Sequence, residues 1–368
     1  MTEEDFIPKS YPKSLDSGKL TWSAPSNIAL IKYWGKTSGQ IPQNPSVSFT
    51  LHNCKTITTL NFQRKDNQND FSFEVYLNDT LQENFKPKIT AFFARVERYL
   101  PFLKDYHFKI ETSNTFPHSS GIASSASGMS ALALCLVSLE RSLQDNSVFS
   151  FSQDEYFIQK ASFLARLGSG SASRSIEGPI IVWGQHEKVN NSSNLFGIKY
   201  ASKIHENFKN YQDTILLVDK GEKQVSSTVG HNLMHNHPYA ENRFAQAHEN
   251  LSTLLEIFKT GNLDDFIALV ESEALTLHAM MMTSMPYFIL MKANTLKIIN
   301  TIWDFRNRTG SKVCFTLDAG ANVHLLYPRK EKETVGQFIR NELIEFCQNG
   351  QFIEDFTGEG AVPIQITD

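Results

Sequence analysis

The chain has 368 residues, 41% of them hydrophobic and 20% charged, with Lys+Arg 35 against Asp+Glu 39 and a net charge of −4. At roughly 100–200 residues per domain, that length predicts two domains or one large one, and the composition excludes global disorder. A near-neutral chain suits neither nucleic acid nor an anionic membrane, so any phosphate site must be built locally by a few residues.

The chain opens Met-Thr-Glu-Glu-Asp, without the basic and apolar regions of a secretory signal. Residues 1–20, polar and carrying Pro8, Pro12 and Gly18, read as a loose N-terminal arm. Residues 22–30 are a first apolar stretch, broken by Pro25. Alternation over 47–62 predicts strands, 64–70 is a polar turn, and 71–77 alternates again, which predicts a hairpin. Ile89, Phe92, Phe93, Val96 and Tyr99 have helical spacing, and Pro101 ends that helix. A strand at 107–111 leads into a Ser/Gly/Ala run and then a helix to about residue 143. Residues 152–168 predict a second helix, with Ser152 as N-cap and Glu155 at the capping-box position. A short buried strand at 180–183 and an Asn/Ser loop at 190–194 follow.

The apolar strand 214–219 opens a second domain, which we start near residue 208. Helices at 238–259, 262–280 and 287–308 follow, then strands at 313–317 and 323–327 and a helix at 332–347. This mixture predicts α+β in both halves. The longest apolar run, 130–139, is half a membrane span. Cys54, Cys135, Cys314 and Cys347 lie far apart with no CxxC pair, which argues for reduced thiols in a cytosolic protein.

Four segments carry chemistry. In Phe116-Pro-His-Ser-Ser-Gly-Ile-Ala-Ser-Ser-Ala-Ser-Gly128, small residues let the backbone approach an anion, and the helix that follows offers free N–H groups. No Gly-Lys-[Ser/Thr] closes it, so it is not a Walker A loop; a packed turn is the bland alternative. In Lys32-Tyr-Trp-Gly-Lys36, two ammonium groups flank aromatic residues and a glycine, which suits an anionic substrate or simply a surface. Gly168-Ser-Gly-Ser-Ala-Ser-Arg174 is a second small-residue nest, ending on an arginine able to grip a carboxylate or phosphate with two prongs. In Thr316-Leu-Asp-Ala-Gly-Ala-Asn322, Asp318 is either a turn-former or a base; spacing does not choose. His231 and His235 have i, i+4 spacing but no carboxylate between them, so we assign no metal ligands there. Glu271, Glu273 and His278 read as a solvated helix face.

Taken in order, AP.NIALIKYWGK, FP..SGIASSASG, GSGSASRS, VSST and DAG.N resemble the diphosphomevalonate decarboxylases of the GHMP kinase superfamily, over residues 22–327. The KYWGK and GSGSA.RS elements are specific to that branch. The resemblance implies a two-domain α+β fold, with an N-terminal ribosomal-protein-S5-like domain (21–207 after the arm 1–20), a C-terminal ferredoxin-like domain (208–368) and the active site in the cleft between them. It implies ATP- and Mg²⁺-dependent decarboxylation of (R)-5-diphosphomevalonate to isopentenyl diphosphate, with ADP, phosphate and CO₂. A cytoplasmic homodimer with small-molecule partners, and neither nucleic acid nor membrane, is implied as well.

Carried over residue by residue, the resemblance implies Asp318 as catalytic base and Arg174 as the substrate-carboxylate arginine, with Asn27 and Lys32 in support. Tyr33, Trp34, Gly35, Lys36, Lys88, Thr228 and the loop Ser169, Gly170, Ser171, Ala172, Ser173 and Arg174 would bind substrate. Gly121, Ser124, Ser125, Ser127, Gly128, Ser226 and Ser227 would bind ATP. Departures from the family pattern are His118-Ser119-Ser120, Ser127, Ser173 and Ala321; none removes a chemically active residue. Two other readings remain: a relative that decarboxylates the monophosphate or only phosphorylates the 3-hydroxyl, and a non-catalytic binding protein on the same fold.

Overall fold

The computed structural model describes residues 1–66, 70–117, 122–144, 154–219 and 227–365; of Ser227 and Thr228 it describes the backbone alone. The first half is built on β1 (Ser17–Ile31) and β2 (Ser46–Arg64), paired antiparallel from Ser17↔Gln63 to Ile31↔Val47. Their register slips between Pro25 and Asn27 and again between Ala29 and Ile31. Proline lacks the N–H a central ladder needs, so the strand bulges there rather than breaking.

Next come β3 (Ser72–Leu77), β4 (Thr80–Leu81), α1 (Lys86–Val96), β5 (Tyr106–Asn114), α2 (Ser124–Gln144) and α3 (Glu155–Gly168). A 3₁₀ turn at Gly170–Arg174, β6 (Ile180–Trp183) and β7 (Ile198–Lys199) complete the half. The expected hairpin of 71–77 with the preceding strand is not formed. The flank of β2 is taken by β5, so β3 pairs parallel with β5 and antiparallel with β4. The N-cap of α3 is Asp154, whose side chain accepts from the Phe157 N–H at 2.8 Å; the expected cap, Ser152, lies outside the described residues. Nor is the N-terminal arm loose throughout: Phe6 is fully buried and stacks on Phe163 at 4.5 Å. Helix α2 lays Leu132, Cys135 and Leu139 into the same core as Trp22, Leu60 and Phe108 of the sheet.

The second half holds β8 (Gln212–Leu216), α4 (Ser227–Asn232), α5 (Ala240–Thr260), α6 (Leu263–Met282), α7 (Ala293–Thr309), β9 (Cys314–Thr316), β10 (Val323–Tyr327), α8 (Lys332–Phe338) and β11 (Phe352–Phe356). Its sheet is antiparallel in the order β11-β8-β10-β9. The chain then returns: β12 (Val362–Pro363) pairs with Trp22 and Ser23 at the edge of the first sheet, giving the order β12-β1-β2-β5-β3-β4 with β6 on the far end of β2. One apolar cluster spans the seam, joining Ile31, Val47 and Phe49 to Ile215, Phe266 and Val270. An interface of that character fixes two halves against one another. Among the described residues no helix is long and apolar enough to cross a membrane.

Candidate active site

Beyond Ile31 the chain leaves β1 and runs along the seam. Lys32 is 1% exposed. Its N–H donates to Glu273 Oε2 at 2.9 Å, and its carbonyl accepts from Asn44 Nδ2 at 2.9 Å and Arg243 Nη2 at 3.2 Å. Its ammonium donates to Asp318 Oδ1 at 3.0 Å. Asp318 stands in the turn between β9 and β10, so this ion pair joins the two halves. Burial pushes the Lys32 ammonium below the usual lysine range, and the Asp318 and Glu273 carboxylates oppose that shift.

Arg174 ends the 3₁₀ turn and is 3% exposed. Its Nη1 donates to Ser46 Oγ at 2.6 Å and its Nε to Asn27 Oδ1 at 3.4 Å, while its guanidinium lies 5.6 Å from the Trp183 ring centre. Asn27 is fixed in turn, donating to Ser175 Oγ at 2.8 Å and the Ser171 carbonyl at 3.2 Å. The bulge at Pro25/Asn27 is what turns this side chain toward the arginine. Burial lowers Arg174 to about 10, so it stays charged at neutral pH.

A cavity of about 370 Å³ opens between these groups. Lys32, Tyr33, Trp34, Lys36 and Lys88 line it together with Arg174 and Asp318. Ser125, Ser169, Gly170 and Ser171 form another part of its wall. Among the described residues, four cations against one carboxylate line it, which in a chain of net charge −4 makes this a local trap for anions. The hydroxyls of Ser125 and Ser169 lie 3.5 Å apart, bringing the start of α2 against the second small-residue loop. A Cβ on Gly170 would lie 2.6 Å from the Tyr33 hydroxyl, so only glycine lets these strands of the site touch.

Other expected site residues sit behind the wall or away from it. Ala172 and Ser173 are buried and shape the loop, the Ser173 hydroxyl bonding the Gly170 carbonyl at 2.9 Å. The Ser127 hydroxyl turns inward to Thr56 Oγ1 at 2.6 Å, since this face of α2 rests on the sheet. Ser124 starts α2, Gly128 lies in its second turn, and neither lines the cavity. Gly35, at φ +104°, gives its N–H to His231 Nδ1 at 2.9 Å. Gly121 and Ser226 lie outside the described residues, and Ser227 and Thr228 are described only as backbone at the start of α4.

Two polar residues at the cavity, Gln40 and His231, were not among the expected site residues. Gln40 closes a tight turn after Lys36 with φ 62°, and its Oε1, like the Tyr33 hydroxyl, is buried without a partner in the protein. Buried orphan polar atoms facing a cavity are where a ligand completes the bonding. His231 is wedged against Tyr33 and Trp34, with ring centres at 4.2 and 4.7 Å. Burial and the charges of Lys36 and Arg174 push it down to about 3. It is therefore neutral, and because Nδ1 accepts from Gly35, its proton is on Nε2.

The expected solvated face of α6 is the opposite of what forms. Glu273 is fully buried, accepting from Arg243 at 2.5 and 3.0 Å and Asn250 at 2.6 Å. Glu271 is buried on Arg306 and Trp303. His278 Nε2 donates to the Asp318 carbonyl at 3.2 Å. Helix α6 is covered by α5 and β9, and its charges are paired by residues distant in sequence, so no local pattern reports them. Among the described residues no group of three His, Cys, Asp or Glu could hold a metal.

Two family models match in sequence. Residues 24–194 fit the diphosphomevalonate decarboxylase-like N-terminal domain, and residues 214–364 fit the mevalonate 5-diphosphate decarboxylase C-terminal domain. The diphosphomevalonate decarboxylase of Ganoderma lucidum is 28% identical over 370 residues, covering 94% of this chain and 87% of that protein. The solved structure of MDDEF in complex with MVAPP, AMPPCP and magnesium superposes with a TM-score of 0.78 at 27% identity, covering 95% of this chain and all of that one. Mevalonate diphosphate decarboxylase from Staphylococcus aureus also gives 0.78, at 25% identity, covering 95% of this chain and 98% of that one. The fold is therefore the two-domain GHMP architecture shared by those proteins.

Proposed function

We propose that this chain, which belongs to the diphosphomevalonate decarboxylase family, converts (R)-5-diphosphomevalonate and ATP to isopentenyl diphosphate, ADP, phosphate and CO₂. One observation carries the reading: the Lys32–Asp318 ion pair borders a cavity that Arg174, Lys36 and Lys88 also line. A base, a carboxylate grip and diphosphate cations are the three things this reaction needs.

Asp318 takes the proton of the substrate's C3 hydroxyl, and the freed oxygen attacks the γ-phosphorus of ATP, expelling ADP. The C3–O bond then breaks, with its electron pair leaving on phosphate. The C1–C2 bond supplies the electrons of the new C2=C3 double bond, and C1 leaves as CO₂. Lys32 holds Asp318 as its carboxylate and adds positive charge beside the transferring group. Arg174, aligned by Asn27 and Ser46, holds the departing carboxylate. Lys36, Lys88 and the orphan Tyr33 hydroxyl face the diphosphate, with Gly35, Trp34 and His231 shaping that end. Ser125, with Ser124, Gly121, Gly128 and the segment bearing Ser226, Ser227 and Thr228, takes the ATP phosphates. Magnesium arriving on ATP offsets the charge of those phosphates. Positioning and electrostatics dominate phosphoryl transfer, which is why so much of this site is second-tier bracing. MDDEF, with its MVAPP, AMPPCP and magnesium, supports the assignment of substrates and ion.

We place the domain boundary near residue 208, with β12 crossing back, and propose a cytoplasmic homodimer. The test is a substrate panel: mevalonate, its 5-phosphate and its 5-diphosphate with ATP and Mg²⁺, following ADP and CO₂ separately. Equal ADP and CO₂ from the diphosphate alone is expected. ADP without CO₂ would make the protein a 3-kinase, and preference for the monophosphate would change its substrate. No ADP from any of the three would leave a binding protein.

A further inference from the structure

The Lys32–Asp318 pair is set by main-chain contacts from α6, with Arg243 of α5 beside it. Lysine carries a long flexible stem, and an ion pair by itself seldom fixes such a side chain. Asp318 sits in a turn, where the backbone has freedom to shift. Yet both main chains are pinned. Glu273 Oε2 accepts from the Lys32 N–H at 2.9 Å, and Arg243, held on Glu273, donates to the Lys32 carbonyl at 3.2 Å. Five residues along α6, about 7.5 Å up the axis, His278 Nε2 donates to the Asp318 carbonyl at 3.2 Å.

We propose that Glu273, with Arg243, and His278 are positioning residues that hold the Lys32 and Asp318 backbones at the separation their side chains need. This rests on the reading of Lys32 and Asp318 as the reacting pair.

The bland alternative is that these groups merely glue the two halves. Two observations argue against it. The seam already has a continuous apolar core through Phe49, Phe266 and Val270, and a buried ion pair adds little stability over apolar residues of the same volume. Moreover, the clamp does not fall at random along the seam. Glu273 spends its fourth contact on the Lys32 amide, after Arg243 takes two and Asn250 one. His278 ends on the aspartate itself, through a neutral ring whose one N–H is thereby used.

Three full-length variants test it, each read by the single-turnover rate of CO₂ release, by KM for both substrates and by thermal unfolding. His278→Leu removes only the donor to Asp318. His278→Gln keeps one. Glu273→Gln keeps the shape and removes the charge that holds Arg243. We expect His278→Leu and Glu273→Gln to lose about 10- to 100-fold in rate, the scale of a misplacement near 1 Å, with both KM values within about threefold. His278→Gln should return to within about threefold of the native rate. A native rate in His278→Leu or in Glu273→Gln, a His278→Gln as slow as His278→Leu, or a raised KM at unchanged rate overturns the proposal. If His278→Leu does not fold, the other two decide it by the same criteria. Asp318→Asn run alongside separates the failures: if it is active, the reading of the reacting pair fails, and if it is inactive while the clamp variants are native, only the clamp fails.

Discussion

Replacing Arg174 with lysine keeps the charge and removes the fork. In the native site Nη1 is committed to Ser46 and Nε to Asn27, which leaves the other edge of the guanidinium for a substrate carboxylate. A lysine ammonium is shorter and has one nitrogen. If it reaches Ser46, it cannot hold a carboxylate in two places, and Asn27 loses its partner. Each charge-assisted hydrogen bond is worth about 1.5–3 kcal/mol net, and 1.36 kcal/mol is tenfold in rate. Loss of one such bond in the transition state therefore predicts a roughly 10- to 150-fold fall in kcat. Charge is kept, so substrate Kd should rise less than about tenfold. The assay is single-turnover formation of ADP and of CO₂, with Kd measured by calorimetry without ATP. Because Arg174 acts on the carboxylate, CO₂ should be slowed at least as much as ADP. A kcat within threefold of native, or a loss wholly in Kd, would remove Arg174 from the chemistry.

Asp318→Asn should lose about 10²–10⁴ in kcat, the range for a general base, while binding survives because the amide oxygen still accepts from Lys32; turnover within tenfold of native would sink the base assignment. Gly35→Ala should raise the KM for the diphosphate and cost roughly 1–3 kcal/mol of stability, since Gly35 has φ +104° and a Cβ there would meet Gln43 at 2.8 Å and Phe244 at 2.9 Å; unchanged KM and unfolding midpoint would refute the strain argument. His231 and His278 are held down to about 3 and about 4, both chiefly by burial. Below the free-histidine value near 6.5 the unfolded chain binds more protons than the folded one. Their contribution is thus complete above that pH and is lost as pH falls toward 4 and below, at up to about 1.4 kcal/mol per pH unit for each. Denaturant titrations at pH 5 and 7 should show a smaller difference for His231→Gln than for the native protein; equal differences would contradict the buried neutral state.

Much of the wall was legible because its chemistry is local. Lys32 to Lys36 and the 169–174 loop announce themselves by residue type, and the structure brings Lys32, Tyr33, Trp34, Lys36, Ser169, Gly170, Ser171 and Arg174 to one cavity with Asp318. What was illegible is long-range. Spacing left Asp318 as turn-former or base, because its ion-pair partner, the Lys32 ammonium, is 286 residues away. Glu273 looked solvated because its partners Arg243 and Asn250 belong to another helix. Gln40 enters the cavity through a positive φ that its own sequence does not signal. The hairpin expected at 71–77 failed for a similar reason: the segment alternates as a hairpin arm should, but β5 competes for the flank of β2 and wins. Residues 352–363 were not read as strands, being short and dependent on β8 and β1 for their pairing.

The placement of the site on the seam follows from its charge. The first half brings Lys32, Lys36, Lys88 and Arg174 to the cavity, and the second half brings Asp318. Divided between halves, Lys32 meets Asp318 only once the halves have docked. The docking is driven by apolar burial through Phe49, Ile215 and Phe266, at about 25 cal/mol per Å², and asks nothing of the charges. Hydrophobic contact can therefore hold the Lys32 and Asp318 charges at one separation, beside a wall that Lys36, Lys88 and Arg174 also line.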